Sequence, residues 1–154
     1  MELSHEDLRD LHASMRTLST GIDHYRRLCA AELGLGLHDV IAMSYLYTNE
    51  STTPRVLGEM LGVTTGSVTA LVDRLESAGF CGRMPNPEDR RSVFVTLTPA
   101  GRHATAWIIE SGNVVLSEAL AELLDDNTIK LAELTRLATK IGEALLNAPT
   151  PKSP

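Results

Sequence analysis

Aromatic residues and cysteines are scarce in this chain of 154 residues, and long apolar runs are lacking. Because aromatic residues make up only 4% of the chain, stacking of bases on aromatic platforms is not an expected mode of binding. Two cysteines are too few for the disulfide framework of a small secreted domain. No apolar run approaches the ~20 residues that cross a bilayer, and the polar N-terminus shows no signal peptide. We therefore expect a cytoplasmic protein without a membrane partner.

Positive charge is also in short supply, since the formal net charge is −6 at pH 7. This balance disfavours non-specific coating of nucleic acid. The deficit is uneven, because residues 53–102 carry six basic and five acidic side chains, whereas the rest of the chain carries eight basic and fifteen acidic ones. The acidic excess therefore lies outside residues 53–102, and this softens the objection; any nucleic-acid binding by that segment should be local and sensitive to salt.

An N-terminal helix is predicted from about Ser4 to Glu32. Its apolar residues alternate at spacings of three and four, the heptad pattern of a helix that packs along a second long helix. They are Leu8, Leu11, Met15, Leu18, Ile22, Tyr25 and Cys29. The partner lies either in the same chain or in a second copy, and the pattern does not decide between these two.

A short helical unit with a β-hairpin is predicted in the middle of the chain. Helices are expected near 38–48, from Pro54 and from Thr64, a loop at 49–53, and strands near 81–84 and 93–97. Two helices joined by a tight turn and followed by a charged hairpin are typical of a winged helix-turn-helix. In that motif the second helix enters the major groove of DNA.

These elements predict a mainly α-helical fold with a small β-hairpin wing, which dimerises through its N- and C-terminal helices. The chain divides into an N-terminal dimerisation helix, a winged helix-turn-helix DNA-binding domain, C-terminal dimerisation helices and a disordered tail. These regions are assigned to residues 1–36, 37–98, 99–148 and 149–154. A homodimer is expected because the terminal helices need a partner for their apolar faces.

The candidate DNA contacts on the second short helix are small or polar residues opposite its apolar stripe. Hydroxyl groups bind phosphates or base edges, and small side chains allow close approach to the bases. An arginine one turn further along the helix is within reach of a phosphate or a base edge. These residues are Thr65, Gly66, Ser67, Thr69, Ala70 and Arg74. Without a wing, the same face would be read as ordinary solvent-exposed surface.

The tip of the predicted wing carries Asp89, Arg90 and Arg91. An arginine fits the minor groove of A·T-rich DNA, where the narrow groove concentrates negative potential. Asp89 lies two residues before Arg91 and is expected to orient its guanidinium by a charge-assisted hydrogen bond. We favour Arg90 for the contact with phosphate or groove, but the sequence leaves open which of the two arginines makes it.

Residues from about 35 to 102 resemble the multiple-antibiotic-resistance regulator (MarR) family. The family signature, Asp-x-Arg followed after five residues by Leu-Thr-x-x-Gly, is met by Asp89, Arg91, Leu97, Thr98 and Gly101. The resemblance implies a homodimer in which each subunit presents one recognition helix and one wing to half of a palindromic site. It also implies repression that is relieved by a small effector, often phenolic or amphipathic, bound between the dimer helices and the DNA-binding lobe.

Two groups of residues are candidates for sensing. Cys29 is a candidate redox thiol because Arg26 and Arg27 lie close to it in sequence, although a lone cysteine on an apolar face is usually a core residue. A second group could line a pocket for an aromatic ligand, and its members are equally good core residues. They are Tyr25, Met43, Tyr47, His103 and Trp107.

No arrangement of residues typical of an enzyme stands out in the sequence. There is no Ser-His-Asp order and no nucleotide-binding loop, and the five histidines lack metal-ligand spacing, so neither a cofactor nor a metal is expected. The favoured interpretation is a DNA-binding, ligand-responsive repressor. The alternatives are a winged-helix module that binds proteins, which the acidic charge and Ala70 favour, and a thiol-based redox regulator.

Overall fold

A computed structural model describes residues 4–87, 89, 92–125 and 130–148 of the chain. Its helices are His5–Glu32 (α1), Leu37–Asn49 (α2), Pro54–Leu61 (α3), Thr65–Ser77 (α4), Pro99–Asp125 (α5) and Leu131–Leu146 (α6). Its strands are Ser51–Thr52 (β1), Cys81–Pro85 (β2) and Val93–Leu97 (β3). The mainly helical fold with a small wing hairpin is thus confirmed. The chain forms two compact units, residues 1–111 and residues 112–154.

Capping side chains begin the helices where the sequence predicts them. Ser4 Oγ accepts a hydrogen bond from the Asp7 backbone N–H at 3.1 Å, and the Asp7 carboxylate accepts the Ser4 N–H at 3.0 Å. The side-chain hydrogen bond with Ser4 keeps the pKa of Asp7 below its ordinary value. Thr53 and Thr64 cap α3 and α4 in a similar way, each through its hydroxyl oxygen. At the other end of α3, Gly62 takes the left-handed conformation that ends the helix.

The sheet has three strands rather than the two of the predicted hairpin. Strand β3 lies in the centre and pairs antiparallel with β2 on one side and β1 on the other. Within the loop expected at 49–53, Ser51 lies opposite Thr96 and Thr52 lies opposite Val95. Two residues are too short for side-chain alternation to reveal a strand. Strand β1 attaches the base of the hairpin to the connection between α2 and α3.

The core of the first unit lies beneath the apolar stripe of α4. Val68, Leu71, Val72 and Leu75 form this stripe, and all four are buried. They belong to one cluster with residues from α2, α3, both hairpin strands and α5, namely Ala42, Met43, Leu46, Leu57, Cys81, Val95, Leu97 and Ala104. Because burial of apolar surface is the main favourable term in folding, this stripe holds α4 by one side and leaves its opposite face exposed.

The heptad stripe of α1 is buried only at its C-terminal end. Cys29 is buried in a small cluster with residues of α2 and α5, and the half-buried Tyr25 donates its hydroxyl proton to the Ile108 carbonyl at 3.3 Å. Further towards the N-terminus the stripe is between 38% and 59% exposed, at Leu8, Leu11, Leu18 and Ile22. Within the described residues of the first unit, the packing partner that the heptad pattern predicts is therefore found for one end of α1 only.

The second unit contains the end of α5 and all of α6. Helix α6 is amphipathic, and its large apolar residues Leu131, Leu137, Leu145 and Leu146 are between 53% and 87% exposed. Within the described ranges, none of the helices combines the length and the apolar character needed to span a bilayer. The tail predicted at 149–154 lies outside the described residues.

The first turn of α5 is locked to the turn between α4 and β2. The Thr98 N–H donates to the Phe80 carbonyl at 3.0 Å, and the Thr98 hydroxyl donates to the Gly79 carbonyl at 2.7 Å. The Gly101 N–H donates to the Thr98 hydroxyl oxygen at 3.0 Å. A Cβ atom at Gly101 would lie 1.9 Å from the Phe80 oxygen, so only glycine fits there. The Leu-Thr-x-x-Gly part of the sequence signature is thus a structural lock between the wing and α5.

We expect Gly101→Ala to lower the free energy of unfolding by about 3 kcal/mol, because the new methyl group collides with backbone that cannot move without shifting the wing. Urea unfolding followed by circular dichroism measures the change. Gly21→Ala is the control, since a Cβ there meets nothing within 4 Å and alanine favours a helix by about 1 kcal/mol. A Gly101→Ala protein as stable as the wild type would contradict the claim that only glycine fits against the Phe80 carbonyl.

Candidate DNA-binding interface

The N-terminal half of α4 presents a small, polar and exposed surface. The structure places five of the six candidate residues of this helix on the face opposite the buried stripe, and all five are exposed: Thr65, Gly66, Ser67, Thr69 and Ala70. A face of this composition allows close approach to a groove, and its hydroxyls can reach phosphates and base edges. Direct contact of these residues with DNA stays a prediction.

The hydroxyl groups of this face have partners within the protein. Ser67 Oγ lies 3.0 Å from Thr64 Oγ1, the atom that caps the helix. Thr69 Oγ1 donates to the Thr65 carbonyl at 3.0 Å. Both hydroxyls sit on exposed side chains, so rotation about χ1 can exchange these internal bonds for external ones.

A glycine on α3, Gly58, faces α4 at a point where a larger side chain would crowd Val68. A Cβ atom at the buried Gly58 would lie 3.0 Å from Val68 Cγ2. Such a distance forces one of the two neighbours to shift, whereas glycine leaves the contact unstrained. Close packing at this point fixes α4 against α3 near the N-terminus that would enter a groove.

The sixth candidate residue of α4, Arg74, is bonded to a buried carboxylate. Its Nη2 donates to Asp39 Oδ1 at 2.7 Å, and its Nε donates to Asp39 Oδ2 at 3.2 Å. Asp39 also accepts the Gly36 N–H at 2.9 Å, so one carboxylate joins the start of α2 to α4. Arg74 is 55% exposed and Asp39 only 1%. The hydrogen bond to Asp39 raises the pKa of Arg74.

Arg74 is therefore already paired within the protein. Its contact with DNA stays a prediction. The sequence analysis missed Asp39 because the two residues lie 35 positions apart. The available signal was local, since an aspartate three residues after Gly36 fits a residue that caps the start of a helix. That signal identifies Asp39 as a residue that caps the start of α2, but it does not reveal that Asp39 pairs with Arg74.

A second guanidinium links the wing to α4. Arg83, on β2, donates from Nη2 to Asp73 Oδ1 at 2.6 Å and from Nη1 to Glu76 Oε2. Asp73 and Glu76 lie three residues apart and therefore face the same side of α4. The hydrogen bond to Asp73 is the main cause of the raised pKa of Arg83. The sequence analysis missed this contact as well.

The tip of the wing is described in part. Asp89 is exposed, and its carbonyl accepts the Ser92 N–H at 2.9 Å. Arg90 and Arg91 lie outside the described residues. The orientation of Arg91 by Asp89 and the contact of either arginine with a minor groove therefore stay predictions.

The candidate ligand residues occupy different environments. Met43 is completely buried in the main core, whereas Tyr47, His103 and Trp107 are exposed. Tyr25 packs against the smaller cluster at the end of α1. A ligand site formed by these five residues stays a prediction. Within the described ranges, His, Cys, Asp and Glu form no group of three that could hold a metal ion.

Both cysteines are free and buried. Burial, with a smaller contribution from the nearby Glu76, raises the pKa of the Cys81 thiol to about 11. The Cys81 thiol also lies 3.7 Å from the Val72 carbonyl, to which it donates. At Cys29, the thiol adjoins Tyr25 and adds to the rise in the Tyr25 pKa that burial causes. A redox role for Cys29 stays a prediction.

We expect Arg74→Met to cost more stability than Asp39→Asn. Arg74→Met leaves a buried carboxylate without its cation, at a cost of about 3 kcal/mol. Asp39→Asn leaves a guanidinium that is already half in water, at a cost of about 1–2 kcal/mol. Urea unfolding at pH 7 measures both. Arg26→Met serves as the control, because the pair of Arg26 with Asp23 is partly exposed and 3.6 Å long. Equal losses in the free energy of unfolding for Arg74→Met and Asp39→Asn would refute the view that the buried Asp39 carboxylate depends on Arg74.

We expect Cys81 in the folded protein at pH 8 to react with iodoacetamide about a hundredfold more slowly than an ordinary thiol, since only the thiolate reacts. The neutral thiol is favoured by folding. Its contribution to stability is therefore complete below its ordinary pKa of 9.0 and declines as the pH rises towards about 11. Mass spectrometry of the alkylated peptides measures the rate, with urea-unfolded protein as the reference. Fast labelling of folded Cys81 at pH 8 would count against the shift.

Comparison with known proteins agrees with this geometry. A family model described as the MarR family matches residues 40–93. The uncharacterised HTH-type transcriptional regulator YcgE of Bacillus subtilis is 42% identical over 130 residues, which cover 84% of this chain and 80% of that protein. The transcriptional regulator Tm0710 of Thermotoga maritima has a TM-score of 0.73 at 22% identity and covers 92% of this chain and 99% of its own.

A further solved structure contains DNA. A mutant of MarR from E. coli, crystallised in complex with operator DNA, has a TM-score of 0.60 at 22% identity, with 94% of this chain and 99% of that chain covered. At this identity the likeness concerns the fold. Together with the family model and the relative from B. subtilis, it identifies the chain as a member of the MarR family.

Proposed function

We propose that this MarR-family transcriptional regulator binds a palindromic DNA operator as a homodimer and represses transcription until a small effector releases it. The observation that carries the proposal is the exposed, small and polar N-terminal half of α4, beside a hairpin whose base is locked to the end of that helix. A helix with such a face fits the major groove, and a hairpin at its side reaches the adjacent minor groove.

In this proposal α4 enters the major groove with its N-terminus first. The hydroxyls of Thr65, Ser67 and Thr69 bond to phosphates or base edges, Gly66 allows close approach, and the methyl group of Ala70 contacts a thymine methyl. On the wing, Arg90 or Arg91 enters the minor groove, with Asp89 as the orienting carboxylate for Arg91.

The internal ion pairs of α4 restrict where the phosphates are held. All three charged side chains of this helix, Asp73, Arg74 and Glu76, are engaged with other parts of the protein. In this proposal the phosphates are therefore bound by N–H groups in the first turns of α3 and α4 and by the wing arginines. The wing arginines then supply the cationic contacts, so the affinity for DNA falls as the salt concentration rises.

The proposed homodimer uses the exposed apolar residues of α1 and α6, within the regions 1–36 and 99–148. Exposed leucines on both helices support this assignment, because large apolar faces are stabilised by burial against a partner. The effector is proposed to be an amphipathic or phenolic molecule near Tyr25, Tyr47, His103 and Trp107. A protein whose partner is chromosomal DNA is also proposed to act in the cytoplasm.

DNA selection from a random pool, at two salt concentrations, tests the proposed function. We expect a palindromic motif with A·T-rich flanks, half-sites about one helical turn apart, and weaker binding at the higher salt. Ala70→Glu should lower the affinity for the selected operator by about 100-fold, because a carboxylate faces the DNA from the centre of the recognition surface. Thr48→Glu is the matched control, because it adds the same charge at an exposed position on α2, outside the proposed DNA and dimer surfaces.

The result also separates the alternatives. A folded dimer that enriches no motif would overturn the proposal and favour a winged-helix module that binds proteins. Binding that is lost on oxidation and restored by a reductant would favour a thiol-based regulator over a ligand-responsive one. An affinity that is unchanged in Ala70→Glu would remove α4 from the contact surface.

A further inference from the structure

We propose that Arg83 is the residue that positions the wing relative to the recognition helix α4, and thereby sets where the wing reads DNA. The inference rests on the proposed function, since it assigns a role in DNA binding. Its basis is a contact that joins the two reading elements directly, through the guanidinium of Arg83 and the carboxylates of Asp73 and Glu76.

The register of the hairpin explains why Arg83 reaches the helix. Arg83 lies directly opposite Val95 across the β2–β3 pair, and opposite residues point to the same face of a sheet. Val95 is completely buried in the core that α4 covers, so this face is turned towards the helix. Arg83 leaves the edge of that core and reaches the carboxylates. Its neighbour Met84 alternates to the other face and is exposed.

The fork geometry of the contact favours positioning over simple charge attraction. Each terminal nitrogen of Arg83 bonds to a different carboxylate, so rotation of the hairpin about the helix breaks at least one bond. A lysine would supply the charge but not the two fixed directions. Arg83 is 30% exposed, against 59% for Asp73 and 42% for Glu76. The guanidinium is therefore the least exposed of the three groups.

The contact of Arg83 with α4 lies far enough along the hairpin to restrain the angle between hairpin and helix. The hairpin leaves α4 at Gly79, which adopts a positive φ of 77° and is the natural pivot. Arg83 is four residues further along, which corresponds to about 13 Å of extended strand. A bond at this distance restrains the angle of the hairpin more strongly than bonds at the pivot do. The hairpin angle determines the separation between the major-groove contacts of α4 and the minor-groove contact of the wing.

The test uses the operator selected by the wild-type protein and versions in which each A·T-rich flank is moved by one or two base pairs. We expect the wild type to bind the moved versions at least about tenfold more weakly, because the wing is held at one distance from α4. Arg83→Gln and Arg83→Lys should both bind the original operator more weakly and should discriminate between the flank positions at least about fivefold less than the wild type.

Variants of the two carboxylates, Asp73 and Glu76, test the proposal independently of Arg83. The double variant Asp73→Asn/Glu76→Gln removes negative charge near the DNA, which by electrostatics alone would tighten binding equally at every flank position. The positioning role instead predicts relaxed discrimination in this variant, as in Arg83→Gln. Arg55→Gln is the matched control, because its guanidinium bonds to Glu59 on its own helix, α3, which is not part of the wing. It should retain the full preference for flank position.

The outcomes that would contradict the positioning role of Arg83 can be told apart from one another. An Arg83→Gln protein that loses affinity equally at all flank positions, with a salt dependence reduced by about one phosphate contact, would show that Arg83 binds phosphate and would overturn the proposal. Full discrimination in Arg83→Gln, in Arg83→Lys or in the carboxylate variant would overturn it too. A wild-type protein without any operator would instead contradict the proposed function. Circular dichroism and urea unfolding confirm that each variant is folded.

Discussion

The close packing of the first turn of α5 on the turn between α4 and β2 is the constraint on which the DNA-binding unit depends. At this point the carbonyls of Gly79 and Phe80 accept hydrogen bonds from Thr98, and Gly101 leaves room for the Phe80 oxygen. The end of the recognition helix, both ends of the wing and the start of α5 are therefore held together by a few backbone atoms. Side-chain packing beneath α4 then stabilises an arrangement that the backbone has already restricted.

The charged groups of α4 stabilise the protein rather than extend towards a partner. Arg74 is bonded to a buried aspartate on α2, and Asp73 and Glu76 are bonded to Arg83 on the wing. The helix is thus held on two sides in its C-terminal half, while its N-terminal half carries small and polar residues without ionic charge. As the proposed contact surface, this half of the helix would discriminate between sequences by shape and by hydroxyl contacts, which suits a chain with a net negative charge.

Sequence reasoning succeeded where the physical cause is local. Pro54 and Thr64 mark the predicted starts of α3 and α4, and in the structure the hydroxyls of Thr53 and Thr64 cap these helices by accepting from N–H groups three residues away. It failed for β1 and for the partner of Arg74, because these depend on residues that lie far apart in the chain and meet only after folding. The heptad stripe of α1 is an intermediate case: its period predicts a packing partner, but no local signal says that the described first unit buries only the end near Cys29.

The intrahelical bonds of Ser67 and Thr69 give the recognition surface a particular thermodynamic character. Each hydroxyl already has an acceptor or donor in the folded chain, so a hydrogen bond to a base replaces an existing bond and adds little net enthalpy. With a matching DNA sequence, the exchange of the internal hydrogen bond for one to a base changes the free energy little. With a sequence that offers no partner, the hydroxyl keeps its internal bond and a polar base edge is left without one, which is unfavourable. In the proposed complex these side chains would therefore serve to reject wrong sequences rather than to strengthen binding, and the affinity would come from other contacts.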